Sequence, residues 1–143
     1  MNSIHPLKKL AQNFRNEEKE LSRLGINTWE GILKLEESNI SKLIKETLCT
    51  NQNLKRLRCI GLLICELDIT QEESSILIHS GISSVKALGR LNPEELLKRT
   101  GRLERLLRTR RNPIINLKKA SSLIKEAKTR RNINRSNKST IPS

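Results

Sequence analysis

The chain has 143 residues and a formal net charge of +13, from 28 Lys+Arg and 15 Asp+Glu, with one Trp, one Phe and no Tyr. That length can bury a core without disulfides or a metal, and the three cysteines, Cys49, Cys59 and Cys65, contain no C-x-x-C pair, which argues against a disulfide framework and a zinc knuckle. No segment approaches the roughly 18 uninterrupted apolar residues of a membrane span, and the start of the chain has basic residues but no apolar run, so no signal peptide is expected and the protein is read as cytoplasmic.

Leu and Ile recur at helical spacing, and no long alternation of β-branched residues is present, so the fold class is all-α. A first helix is expected from about Pro6 to Leu24, ended by Gly25. Thr28 is placed to cap a short helix through Leu33, and Ser38 to cap the next, with Ile40, Leu43, Ile44 and Leu48 as its apolar stripe. Residues 50–53 read as a polar break, followed by a helix from Leu54 to Leu67 with Leu54, Leu57, Ile60, Gly61 and Ile64 inward. Thr70-x-x-Glu73 is a capping box for a helix to Ser80. Ser83 or Ser84 caps a short helix through Leu88, and Asn92-Pro93-Glu94-Glu95 starts another that ends near Gly101. A short basic helix is expected over 102–111, with Leu103, Leu106 and Leu107 inward, then a break at Asn112-Pro113. A last amphipathic helix covers about 115–129, with Leu117, Ala120, Ile124 and Ala127 on one face, and disorder is expected from Arg130 onward.

The sequence contains an internal repeat. Leu21, Gly25, Ile26, Thr28, Trp29, Gly31, Ile32 and Leu35 match Leu77, Gly81, Ile82, Ser84, Val85, Ala87, Leu88 and Leu91 at an offset of 56 residues. Repeats at such a period signal duplicated supersecondary units. The frame is that of a hairpin between two helices: Gly25 and Gly81 allow positive φ, Ile26 and Ile82 plug the core, and Gly31 and Ala87 are small enough for close helix approach. Trp29 matches Val85 and is read as core rather than as a base-stacking residue.

The pattern resembles the helix-hairpin-helix family, whose motif is Gly-apolar-Gly, three residues, then Ala. Here the second glycine is replaced by Ser83 in one copy and by Asn27 in the other. The resemblance implies hairpin backbone amides that hold DNA phosphates without reading sequence. The stretch from Ile60 to Lys128 resembles more specifically an uncharacterised bacterial family of tandem helix-hairpin-helix-like proteins, known mainly from photosynthetic bacteria. The parts that carry this are His79-Ser80-Gly81-Ile82, Ala87-Leu88-Gly89-Arg90-Leu91-Asn92-Pro93 and Thr100-Gly101-Arg102-Leu103-Glu104-Arg105, together with the Ala-x-x-x-Ile run that ends near Ala127. It implies a fold and no activity. At fold level alone the second repeat also resembles the C-terminal domain of the RNA polymerase α subunit. The expected organisation is two such repeats packed as one compact helical body: residues 1–52, residues 53–129, and a disordered basic tail at 130–143.

Charge points to a partner. Residues 1–97 hold 13 Lys+Arg and 13 Asp+Glu, whereas residues 98–143 hold 15 Lys+Arg against Glu104 and Glu126. A neutral body with a basic end is suited to a polyanion. The expected function is sequence-tolerant nucleic-acid binding, DNA more than RNA, through Gly81, Ile82, Ser83, Ser84, Lys86, Arg90, Arg102, Arg105, Arg108, Arg110, Arg111, Lys118 and Lys119. The alternative is a protein-interaction or assembly module with a solubilising tail. A membrane surface is disfavoured, since the last helix lacks bulky aromatics. Catalysis is not expected. His5 lies near a terminus and His79 before a hairpin, no His–Cys arrangement is visible, and the pairs Glu36-Glu37, Glu72-Glu73 and Glu94-Glu95 sit at helix starts. No cofactor, metal or small-molecule substrate is implied.

Overall fold

Polar residues that interrupt the apolar pattern become helix caps. In the computed structural model, residues 4–107 and 112–140 are described, with side chains for 4–106 and 112–130. A 3-10 turn, Gln12–Phe14, leads into α1 (Arg15–Arg23), α2 (Trp29–Leu33), α3 (Glu37–Glu46), α4 (Asn51–Leu67), α5 (Gln71–His79), α6 (Val85–Gly89), α7 (Pro93–Leu107) and α8 (Leu117–Thr140). The described residues contain no strand beyond one isolated bridge, Pro6 to Thr28, so the fold is all-α.

Several boundaries differ from the expectations, each for a local reason. Residues 5–7 are extended rather than helical, because they pair with the turn before α2: the Leu7 N–H donates to the Asn27 carbonyl, and the Trp29 N–H to the His5 carbonyl, each at 2.9 Å. Glu36, not Ser38, caps α3, in a reciprocal box with Asn39. The polar residues 51–53 are the first turn of α4, because Thr50 accepts from the Asn53 N–H and starts the helix there. Gly101 does not end a helix; α7 runs through it to Leu107. On α7 Leu106 is 75 % exposed, and on α8 Leu117 is 55 % exposed, where both were expected inward. Helix α8 continues past Arg130 to Thr140, since no Gly or Pro lies between Leu117 and Pro142 to stop it. The last buried residue described on α8 is Ala127.

The chain divides into two compact units, Met1–Gln71 and Glu72–Ser143, so α4, which runs across the expected 52/53 boundary, belongs with the first. In the first unit α4 packs on α2, and the buried residues include Leu21, Trp29, Ile32, Leu57, Leu63 and Ile64. Leu43, Cys49 and Leu54 form an adjoining apolar cluster with Ile40 and Ile44. In the second unit α8 packs on α6 and α7, with Leu77, Ile82, Leu88, Leu96, Ile115, Ala120 and Ala127 buried.

The two units share a hydrogen-bond plan. At the first hairpin the Gly25 N–H donates to the Ser22 carbonyl and the Ile26 N–H to the Leu21 carbonyl; at the second, Gly81 donates to Ile78 and Ile82 to Leu77. Both glycines have positive φ, 77° and 89°. The Thr28 Oγ1 accepts from the Gly31 N–H, and the Ser84 Oγ from the Ala87 N–H, each at 3.0 Å. The likeness extends beyond the stretch visible in sequence. Thr50 caps α4 as Asn116 caps α8, each accepting from the N–H three residues on. These positions are 66 apart rather than 56, so the second unit has ten more residues before its last helix. With that shift Gly61 corresponds to Ala127, while Leu33 matches Gly89 at the original offset of 56. Leu33 lies 3.5 Å from the site of a Gly61 Cβ, and Ala127 lies 3.7 Å from that of a Gly89 Cβ. The same helix crossing is thus kept with the large and small partners exchanged.

Candidate functional site

The second unit holds 17 Lys+Arg against 6 Asp+Glu, and its basic residues concentrate on α6, α7 and α8. On α7 the buried side is Leu96 and Thr100, whose Oγ1 donates to the Leu96 carbonyl four residues back. That rotation leaves Lys98, Arg99, Arg102 and Arg105 exposed at spacings of three and four, a continuous outward stripe. Lys86 and Arg90, at the ends of α6, are exposed as well. Glu104 does not neutralise this stripe. Its two carboxylate oxygens accept from the N–H groups of Ile114 (2.6 Å) and Ile115 (3.3 Å), which fixes the turn before α8.

The residues expected to bind separate into groups. Gly81, Ser83 and Ser84 are exposed, but Ile82 is buried. The amides of Gly81 and Ile82 are already bonded to carbonyls of α5. The hairpin N–H groups left for a ligand are those of Ser83 and Ser84, because tight turns after a helix satisfy their own first amides. Lys118 is exposed, and Lys119 is half-buried with its Nζ 3.1 Å from Glu73 Oε2. Arg108, Arg110 and Arg111 lie outside the described residues. Lys98 and Arg99 were not singled out from sequence; the helical spacing to Arg102 was the available signal, hidden by the expected break at Gly101.

A second constellation lies wholly in the first unit. The extended segment 4–10 is held by side chains as well as backbone. The Lys8 N–H donates to Gln71 Oε1, which also accepts from Trp29 Nε1, and the Leu10 N–H donates to Glu18 Oε2. His5 is the anchor. Its N–H donates to Glu30 Oε1 at 3.0 Å, its Nδ1 lies 2.6 Å from Glu30 Oε2, and its Nε2 lies 2.7 Å from Asp68 Oδ1. The Cys65 thiol donates to Glu30 Oε2 at 3.2 Å. His5 is therefore packed rather than frayed, and a His–Cys arrangement does exist, joined through Glu30.

The electrostatics follow from the geometry. The Glu30 and Asp68 carboxylates accept from the His5 ring and raise its pKa against a smaller opposing effect of burial. Burial works against ionisation of Glu30, but hydrogen bonds from the His5 ring and backbone and from Cys65 outweigh it and hold the carboxyl down at about 2. Burial and the Glu30 carboxylate together push the Cys65 thiol up to about 12. Burial also raises Cys49.

The chain belongs to a family described as Domain of unknown function (DUF4332), whose model matches residues 11–130. No curated protein and no solved structure is found to match it. Among the described residues no helix is long and apolar enough to cross a membrane.

Proposed function

We propose that this member of the family is a non-enzymatic, sequence-tolerant nucleic-acid-binding protein, DNA more than RNA, built on two helix-hairpin-helix-like repeats. The observation that carries this reading is the outward stripe Lys98, Arg99, Arg102 and Arg105 with Lys86 and Arg90 nearby in sequence, none of them paired with a carboxylate among the described residues. Unpaired cations in a row suit a phosphate backbone, whose contacts carry affinity without base readout. The contrast between hairpins supports a division of labour. Residues 5–7 cover the turn of the first hairpin, whereas no strand among the described residues covers the exposed Ser83 and Ser84. Ser83 and Ser84 would supply the amides, and Lys86, Arg90, Arg102, Arg105 and Lys118 the charge. Lys119 contributes less because Glu73 holds it.

The test is a duplex-DNA titration at several salt concentrations. Contact with six to eight phosphates gives a slope of log affinity on log salt of about −5 to −7. Binding that is absent at low salt, or indifferent to salt, ends the proposal.

One observation favours the second reading, a protein-interaction module. The first unit is nearly neutral, with 11 Lys+Arg and 9 Asp+Glu, and exposes Leu24, Leu48 and Leu62. Recovery of one stoichiometric protein partner after nuclease treatment selects this reading.

A further inference from the structure

We propose that His5 Nδ1, Glu30 Oε2 and Cys65 Sγ bind one divalent transition ion of the zinc type, which clasps residues 4–10 to the first hairpin. The three donors come from separate stretches of chain: the extended N-terminal segment, the first turn of α2 and the last turn of α4. Candidate ligand atoms of these residues all lie within 4.8 Å of one another. Nothing in the sequence spacing brings them together, since Cys65 is 35 residues from Glu30 and His5 is 25.

The donor set selects the ion. Imidazole nitrogen, carboxylate oxygen and thiolate sulfur together suit zinc and its neighbours, whereas calcium and magnesium require oxygen ligands. Three protein ligands leave a fourth position for water. The surrounding shell is already in place. Asp68 accepts from His5 Nε2, the outer carboxylate–histidine contact that fixes the tautomer of a metal-bound imidazole and turns Nδ1 toward the ion. Glu30 Oε1 accepts from the His5 N–H, which orients the carboxylate and leaves Oε2 facing both Nδ1 and the thiol.

The present separations, 2.6 Å and 3.2 Å, are those of hydrogen bonds. An ion about 2.0 Å from N and O and about 2.3 Å from S, in tetrahedral geometry, holds its ligands roughly 3.3 to 3.5 Å apart. Nδ1 and Oε2 therefore separate by about 0.7 Å, a small rotation of the two side chains. The ion takes the place of two hydrogen-bonded protons, one between Nδ1 and Glu30 Oε2 and one on the thiol, and both pass to solvent. Glu30 enters already ionised. The Glu30 and Asp68 carboxylates beside the His5 ring form a negative site that draws in a cation, and once bound the ion favours the deprotonated thiol.

The experiment titrates cobalt(II) into the full-length protein, reduced and stripped with chelator, and follows the thiolate-to-cobalt charge-transfer band. One ion per chain is expected. Cys65→Ser abolishes the band and Cys59→Ser keeps it. Asp68→Asn weakens binding 10- to 100-fold, as loss of an outer partner does. His5→Gln weakens it at least tenfold while far-ultraviolet circular dichroism stays that of the wild type, since His5 lies outside every helix. A wild-type chain without the band at excess cobalt overturns the proposal, as does a band that survives Cys65→Ser or disappears in Cys59→Ser.

Discussion

Gly61 lies directly against Trp29: a Cβ on Gly61 would stand 3.1 Å from Trp29 Cε3. The indole cannot easily give way, because it is 1 % exposed and its Nε1 is bonded to Gln71. Gly61→Val is therefore expected to destabilise the protein by about 1–3 kcal/mol, the usual cost of overpacking. The corresponding crossing in the second unit has its glycine on the other helix. A Cβ on Gly89 would meet Ala127 at an ordinary 3.7 Å, so Gly89→Ala should stabilise by about 0.5 kcal/mol through reduced backbone entropy. Urea denaturation of the two variants checks both signs.

Gly81 has open space around its missing side chain but a φ of +89°. Any cost of Gly81→Ala is thus conformational, about 1 kcal/mol, and Gly81→Asn should cost less because Asn tolerates the left-handed region. Equal losses for the two variants would assign the cost to packing instead.

Glu17 is 1 % exposed, yet its carboxylate is fully used: Oε2 accepts from the Thr50 N–H at the start of α4, and Oε1 from Asn53 Nδ2. Glu17 is buried while its donors are only partly so, and losing hydrogen bonds to a carboxylate costs about 1.5–3 kcal/mol, so Glu17→Ala should lower the midpoint clearly. Glu37→Ala, an exposed acid at the start of α3, should fall within about 0.5 kcal/mol.

The Cys65 thiol, raised to about 12, is almost wholly protonated at neutral pH. In the metal-free chain its alkylation at pH 8 should be on the order of a thousandfold slower than that of an ordinary peptide thiol, and its rate should climb through the alkaline range. Mass spectrometry of peptides after timed alkylation reads the rate at each cysteine.

Within the proposed interface, Arg102→Ala and Arg105→Ala should each reduce the salt slope by about 1. Lys119→Ala should change it less, because its ammonium is already shared with Glu73. Equal effects at all three positions would place Lys119 on the phosphate rather than on the acid.

The helices and hairpins were legible because their signals are local. Thr28, Ser84 and Asn92 cap the helices that follow them, and Gly25 and Gly81 turn the chain, through bonds spanning no more than five residues. Errors came where a local signal was overruled. Gly101 reads as a stop, but Leu96 and Thr100 on one side of it are buried, and their packing carries α7 through. Residues 6–14 read as helix, but the backbone from His5 to Leu7 finds partners at Asn27 and Trp29 instead.

The sequence by itself determined the helical class, the two matching glycine turns and the concentration of positive charge after residue 97, since each depends on spacing or composition. Only the tertiary structure decided which cations are unpaired and that the last helices complete the repeat at a shifted offset. It also brought His5, Glu30, Cys65 and Asp68 together across gaps of up to 63 residues. Hydrogen bonds within a turn leave a periodic trace in the chain, whereas contacts made by folding distant segments together leave none.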